Sequence, residues 1–318
     1  MVDTTGRDRN SSDAASEQTE RNNLIQRLLD ALWDRYRQRV PYVAAYEQMI
    51  AAAGATFVND HIAFRTIARQ RPMTGINTIS RMFEALGYRA AGLYDFPDKH
   101  LSALHFRHAC ADFPKLFISE LRSWELSDAS QKIIAAALAS HRPPLDDDVL
   151  ARLHRAQLSD SDLIEQLTKQ FHALPWGPPD RDAVTALNRE TQYGAWVLVH
   201  GYDVNHFTAL INSHGTPELD DIEKTAAALR DAGVPMKAEI EGERGSKLRQ
   251  TTTEAVVVEV PVRDGRKSAT MPWSYAYFEF AERGEVPDPT TGRPVRFDGF
   301  LGAQATQLFE MTRVASKS

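Results

Sequence analysis

Two histidine-bearing apolar runs limit the folds open to this chain. One is Asn59-Asp60-His61-Ile62-Ala63-Phe64-Arg65 and the other Val204-Asn205-His206-Phe207-Thr208-Ala209-Leu210. Each is followed by helical spacing that stops at a glycine. The helix-patterned stretches are 76–87 and 219–233, and the histidine-to-glycine separations are 26 and 27 residues. A glycine just past the last periodic residue is a helix stop, because it adopts the left-handed conformation without steric cost. A rough internal repeat of this kind implies two copies of one supersecondary unit. Two such copies, each opening on a histidine, can build one shared metal site at their junction.

The surrounding pattern extends each copy to β-α-β-β-β. In the first, strands are expected near 61–67, 88–94, 101–108 and 115–121. In the second they fall near 205–211, 237–241, 254–260 and 275–280, with a helix over 219–232. Leu24, Leu28, Leu29, Leu32, Trp33 and Tyr36 recur at helical spacing and predict a helix over 21–39, followed by a short one over 43–52. Helical pieces are expected over 133–139, 146–153 and 159–171, and a further helix over 181–193. Pro143-Pro144 and the run Leu174-Pro-Trp-Gly-Pro-Pro179 punctuate them. The expected organisation is a disordered tail over 1–20, N-terminal helices over 21–57, a first module over 58–127, a helical insertion and linker over 128–200, and a second module with a C-terminal cap over 201–318. The fold class is α+β: two βαβββ modules forming a curved mixed sheet around a metal site, with added N-terminal and inserted helices.

Charge and composition narrow the function. Charged residues make up 25% of the chain, and the net charge of −6 argues against general nucleic-acid binding. No apolar run approaches the roughly 20 residues that span a bilayer. The polar N-terminus lacks the apolar core of a signal peptide, so a cytoplasmic protein is expected. The single cysteine, Cys110, excludes an intramolecular disulfide and any multi-cysteine metal centre.

Strand alternation places His61, Ala63 and Arg65 on one face, and His206 with Thr208 on one face of the second unit. Tyr275, Tyr277 and Glu279 share a face of the last strand, with Phe278 and Phe280 turned the other way. An ionised Glu279 in a half-buried strand is costly unless paired or bound to a cation. Two histidines and a carboxylate with open coordination positions form the facial triad of non-haem Fe(II) oxygenases. The open positions suit a 2-oxo acid, which chelates through its carboxylate and keto oxygens, and leave one for O₂. His105 and His108, three apart along a strand, point to opposite faces and make a poor ligand pair. His141, His154 and His172 sit in the helical insertion. Glu120, at the end of a module-one strand, is the candidate fourth ligand of a rival reading, a glyoxalase-type lyase or isomerase. A third reading is a small-molecule binder without metal.

Five motifs together resemble the DUF1338 family, associated with 2-oxoadipate dioxygenase/decarboxylase and placed in the vicinal oxygen chelate superfamily. They are Asn59-Asp-His-Ile-Ala-Phe-Arg-Thr66, Pro114-Lys-Leu-Phe-Ile-Ser-Glu-Leu121, Val204-Asn-His-Phe-Thr208, Gln250-Thr-Thr-Thr253 and Tyr277-Phe-Glu-Phe-Ala-Glu-Arg283. The resemblance implies an Fe(II) cofactor held by His61, His206 and Glu279, and an essential arginine at Arg65. It implies conversion of 2-oxoadipate and O₂ to 2-hydroxyglutarate and CO₂ in lysine breakdown, with the substrate's own 2-oxo acid group as reductant. The Arg65 guanidinium can hold a substrate carboxylate through its fork. Gln250 is a candidate hydrogen-bond donor to substrate, and Lys247 and Arg249 are candidates for the distal carboxylate. Residues 296–301 and 307–311 are expected to form a helical cap, with Asp298 or Phe300 at the pocket.

Overall fold

The computed structural model describes residues 5–143, 145–154, 161–302 and 312. Its spine is a seven-strand path whose two central members are the histidine-bearing strands. β1 (Asn59–Gln70) is followed by the two-residue β2 (Met73–Thr74), the helix α3 (Ile76–Ala85) and three strands, β3 (Arg89–Phe96), β4 (Leu101–Arg107) and β5 (Lys115–Arg122). Two helices precede β1: α1 (Thr5–Arg39) and α2 (Tyr42–Ala53). Five helices separate the modules: α4 (Asp128–Leu138), α5 (Asp147–His154), α6 (Ser161–His172), α7 (Arg181–Glu190) and α8 (Gln192–His200). The second module runs β6 (Val204–Leu210), α9 (Ile222–Asp231), β7 (Leu248–Thr252), the hairpin β8 (Val257–Asp264) and β9 (Lys267–Ser274), and β10 (Glu279–Arg283). A small hairpin, β11 (Glu285–Pro287) and β12 (Pro294–Arg296), ends the described strands.

The sheet order is β3-β4-β5-β1-β6-β10-β7. β1 and β6 run antiparallel at the centre, β5 lies parallel to β1, and β10 lies parallel to β6. The two modules therefore meet edge to edge and curve into a half-barrel. The repeat is clearest where the module helices begin and end. α3 ends with Tyr88 N–H donating to Phe83 and Gly87 N–H to Glu84; α9 ends with Val234 N–H donating to Leu229 and Gly233 N–H to Arg230. Both are the same glycine-terminated cap, with φ of 107° at Gly87 and 81° at Gly233. At the other end, Glu120 accepts from Ile76 N–H at 2.9 Å, and Glu282 accepts from Ile222 N–H at 2.8 Å.

Aromatic residues seat the N-terminal helices on the sheet face turned away from the histidines. Trp33 meets Phe207 edge-on at 4.9 Å, and Tyr46 meets Phe278 at 5.1 Å and Phe280 at 5.4 Å. The Tyr36 hydroxyl donates to the Tyr277 carbonyl. In module one Phe64 turns the same way as Ile62 and packs on Phe83 of α3 and Phe171 of α6. The alternation read from the sequence thus separates a helix-covered face from the face that carries the histidines.

Several expectations are corrected. α1 begins at Thr5, inside the stretch expected to be a disordered tail. Residues 7–39 contain neither glycine nor proline, and once packing nucleates the later turns, each added residue gains a hydrogen bond at little cost. The helix expected over 181–193 is two helices, because Thr191 leaves helical geometry and its hydroxyl accepts from Gly194 N–H to start α8. The strand expected over 237–241 is reduced to two isolated bridges, Glu241 to Gln250 of β7 and Met236 to Thr253 just beyond it. β7 forms where no strand is expected, and the strand expected over 254–260 is the first arm of the β8–β9 hairpin, which turns at Gly265-Arg266. Regular strand pairing at the end of the module starts only at Glu279.

Candidate metal centre

Register brings the ligands together. His61 pairs with Thr208 and Ala63 with His206 across β1 and β6. The two histidines are therefore diagonal neighbours on one face of an antiparallel pair, close enough for their rings to meet. Their centroids lie 5.5 Å apart. Glu279 opens β10 opposite Thr208, and so joins the same face from the next strand. One ligand atom from each of His61, His206 and Glu279 falls within 4.8 Å of the others, and all three residues are buried.

The Glu279 carboxylate faces the Nε2 atoms of both histidines. Glu279 Oε1 lies 3.4 Å from His61 Nε2, and Oε2 lies 3.4 Å from His206 Nε2. Among the described residues, neither carboxylate oxygen has a hydrogen-bond partner. Each imidazole is tied through its other nitrogen: His61 Nδ1–H donates to Asp60 Oδ2 at 2.8 Å, and His206 Nδ1–H to Asn205 Oδ1 at 3.0 Å. These bonds set the tautomer and turn both Nε2 lone pairs inward. The Thr208 hydroxyl also sits 3.1 Å from His61 Nε2. Burial, with the neighbouring His61 and Arg65, holds His206 well below the usual histidine range, so it stays neutral. Burial, with the carboxylates of Glu241 and Asp60, pushes Glu279 well above the usual carboxylate range. Electron-rich atoms facing each other in a dry site are costly, and a cation among them removes the cost. Two imidazoles, one carboxylate and open positions suit a divalent transition metal.

The second sphere is charged. Arg283 grips Asp60 through two parallel bonds, Nε to Oδ1 at 2.6 Å and Nη2 to Oδ2 at 2.7 Å. Burial opposes charge on Asp60, but the guanidinium overcomes it and holds the carboxyl well below its ordinary range.

A small cavity opens onto the triad. Arg65 reaches it from β1 and is 2% exposed. Its guanidinium lies 5.1 Å from the Tyr193 ring and 5.2 Å from the Trp196 ring, and it donates to the Thr312 hydroxyl at 2.8 Å. Among the described residues no carboxylate forms an ion pair with it. Burial lowers its pKa, and Tyr277 and Tyr193 work against that fall. Gln250 also lines the cavity, its amide donating to Glu241 Oε2 at 3.0 Å. Phe300 and Leu301 close one side.

The structure does not bring every candidate here. Arg249, next to Gln250 on β7, projects to the opposite face, where it pairs with Glu223 and with Glu282 at 3.4 Å. Lys247 is exposed, 4.9 Å above the Phe297 ring. Alternation along a strand that faces the pocket only through Gln250 explains both. Asp298 is held outside the cavity by Arg107 and Lys115, each at 2.8 Å. Residues 297–302 are irregular rather than helical, and 307–311 lie outside the described residues.

Glu120 lies outside the cluster of His61, His206 and Glu279. In module two Glu279 pairs with the residue two beyond the histidine; in module one the residue two beyond His61, Ala63, pairs with Phe117. Phe117 thus occupies the repeat's fourth-ligand position and lines the cavity. Glu120 lies three residues further along β5, as Glu282 does along β10, and caps α3 instead. Sequence reasoning missed Asp60, Asn205, Tyr193 and Arg283. A legible signal existed for the first two, since an acid or amide directly precedes each histidine.

Comparison with known proteins agrees with this geometry. Residues 28–293 match the family described as 2-oxoadipate dioxygenase/decarboxylase. A chloroplastic 2-oxoadipate dioxygenase/decarboxylase of Arabidopsis thaliana is 28% identical over 276 residues, covering 80% of this chain and 67% of the relative. A chloroplastic/amyloplastic one of Oryza sativa is 30% identical over 273 residues, covering 80% and 68%. Among solved structures, hydroxyglutarate synthase from Oryza sativa in complex with 2-oxoadipate superimposes with a TM-score of 0.75 at 26% identity, covering 92% of this chain and 93% of that one. A glyoxalase-superfamily protein from Ralstonia eutropha JMP134 gives 0.74 at 25% identity, covering 83% and 84%. With its buried His-His-Glu centre, its half-barrel of paired modules and a match over most of its length, this chain belongs to the 2-oxoadipate dioxygenase/decarboxylase family.

Proposed function

We propose that the protein is an iron(II)-dependent dioxygenase that decarboxylates 2-oxoadipate, using one O₂ and giving 2-hydroxyglutarate and CO₂. The observation that carries the reading is the convergence of His61, His206 and Glu279, with two unpartnered carboxylate oxygens, on a cavity that also holds the buried cation Arg65. The rice relative's structure with 2-oxoadipate supports the substrate class. When bound, iron(II) supplies chelation of the 2-oxo acid head and the electrons that activate O₂.

The protein's own groups do the rest. Asp60 and Asn205 keep His61 and His206 in the tautomer that offers Nε2. Arg65 presents a fork of N–H donors to a substrate carboxylate, and the aromatic rings of Tyr193 and Trp196 hold that fork in place. Gln250, braced by Glu241, offers its amide to the same ligand. Phe117, Phe300 and Leu301 give the cavity an apolar wall that fits a methylene chain and excludes water. Phe117 in place of a fourth carboxylate leaves the centre open, which separates this site from the four-ligand lyase reading.

The test is O₂ uptake by Fe(II)-loaded protein given 2-oxoadipate, with 2-oxoglutarate in parallel and His206→Ala as control. Uptake matched one to one by CO₂ and 2-hydroxyglutarate, and absent in the control, supports the assignment. Iron bound without 2-oxoadipate-dependent uptake overturns it.

A further inference from the structure

Arg283 makes more contacts than a simple partner of Asp60 needs. Its Nε and Nη2 grip the carboxylate, while Nη1 donates to two backbone carbonyls of the closing segment, Phe297 O at 3.1 Å and Gly299 O at 2.7 Å. The same guanidinium lies 5.3 Å from the Phe300 ring. Phe300 in turn meets the His61 ring edge-on at 4.8 Å. Asp60 Oδ2 accepts both from Arg283 and from His61 Nδ1. The contacts close a ring: segment 297–300, Arg283, Asp60, His61, and back to the segment through Phe300.

We propose that Arg283 is a positioning residue that couples closure of segment 297–301 over the cavity to the orientation of the metal ligand His61. The inference rests on the metal reading above. Arg283 sits on β10 four residues after Glu279, so one strand carries a metal ligand and the clamp. Its fork suits the task. Two parallel bonds fix the Asp60 carboxylate plane, and the third nitrogen still has two protons for the carbonyls. A lysine would keep the charge and lose the geometry. The outer side of the segment is anchored separately: Phe300 N–H donates to the Tyr94 hydroxyl at 3.1 Å, and Asp298 pairs with Arg107 at 2.8 Å. Moving the segment aside would strip Arg283 of its carbonyl partners and His61 of its ring neighbour. Whatever closes the segment, substrate included, would then tighten metal binding, and by linkage metal would tighten substrate binding to the same extent.

The coupling can be tested from the anchor side without touching Arg283, Asp60 or a ligand. The anchor variant is Asp298→Ala, which removes both outer ion pairs, to Arg107 and Lys115, and leaves the Phe300 amide its acceptor. Arg283→Lys breaks the link itself, and its folding is checked by thermal unfolding. The probe is Co(II), titrated into the full chain and followed by its visible absorption, with hydrogen exchange at the Phe300 amide read in parallel. The expected result is exchange at least tenfold faster in both variants, with Co(II) bound about tenfold more weakly in the anchor variant and 10- to 100-fold more weakly in Arg283→Lys, with a changed band shape. Faster exchange in the anchor variant with Co(II) affinity and band shape unchanged overturns the coupling. Unchanged exchange in Arg283→Lys overturns it as well, because the segment is then held without the clamp. Failure of the unsubstituted protein to bind Co(II) would instead overturn the metal reading, and the coupling with it.

Discussion

At the scale of single residues, the chemistry rests on charges placed where they have few alternatives. Glu279 has both oxygens buried and unpartnered. Glu279→Gln keeps the shape but replaces one oxygen by an N–H₂ donor facing the site and removes the charge. It is expected to abolish stoichiometric metal binding, read by metal analysis after gel filtration, while leaving the fold intact. Removal of a carboxylate that buried cations do not pair is expected to raise stability of the metal-free protein rather than lower it. Arg65 is the buried cation of the cavity. Arg65→Lys keeps charge and loses the fork, and is expected to lower kcat/KM for 2-oxoadipate about 100-fold, close to 3 kcal/mol of lost binding. A fall carried by KM would mark ground-state recognition of the substrate; a fall in kcat alone would place Arg65 at the reacting centre.

At the scale of elements, the two copies of β-α-β-β-β are alike in ways that identity does not reveal. Both helices end on the same glycine cap, and both begin under a glutamate from the last sheet strand of the module. Gly75 has no side chain to cap α3 itself, and a Cβ there would lie 2.5 Å from Glu120 Oε2. Glu120→Ala is therefore expected to cost about 1 kcal/mol, a fall of a few degrees in Tm, with metal content unchanged. Loss of metal with retained stability would restore Glu120 as a ligand. The strands were legible where alternation was strong, as in β1 and β6. The β8–β9 hairpin left a signal in Gly265-Arg266 between alternating runs, a turn with glycine first that the longer repeat pattern obscured. The split between α7 and α8 was less so, because helical periodicity passes straight through Thr191 and only its cap geometry interrupts the chain.

At the scale of the whole molecule, burial sets the response to acid. Burial pushes His200 down to about 3, against a hydrogen bond from its Nε2–H to the Ser274 carbonyl. Its unfolded value is near 6.5, so the folded state favours the neutral ring. The stability this contributes is whole above about pH 6.5 and is lost as pH falls towards 3, by at most about 1.4 kcal/mol per pH unit. His105, pushed by burial to about 4, adds a smaller loss of the same sign. Denaturant midpoints at pH 7 and pH 5 are expected to show the protein weaker at pH 5, and His200→Gln is expected to flatten that dependence. The sequence by itself determined which strands carry His61 and His206, that Glu279 shares a face with Tyr277, and where the module helices stop, because side-chain alternation and glycine conformation are local properties of the chain. Tertiary structure alone decided which of Gln250 and Arg249 faces the cavity, that Phe117 rather than Glu120 takes the position equivalent to Glu279, and that Arg283 reaches Asp60 across 223 residues. Those outcomes depend on register between strands distant in sequence, where a shift of one residue reverses the face of every side chain and no local pattern records which register wins.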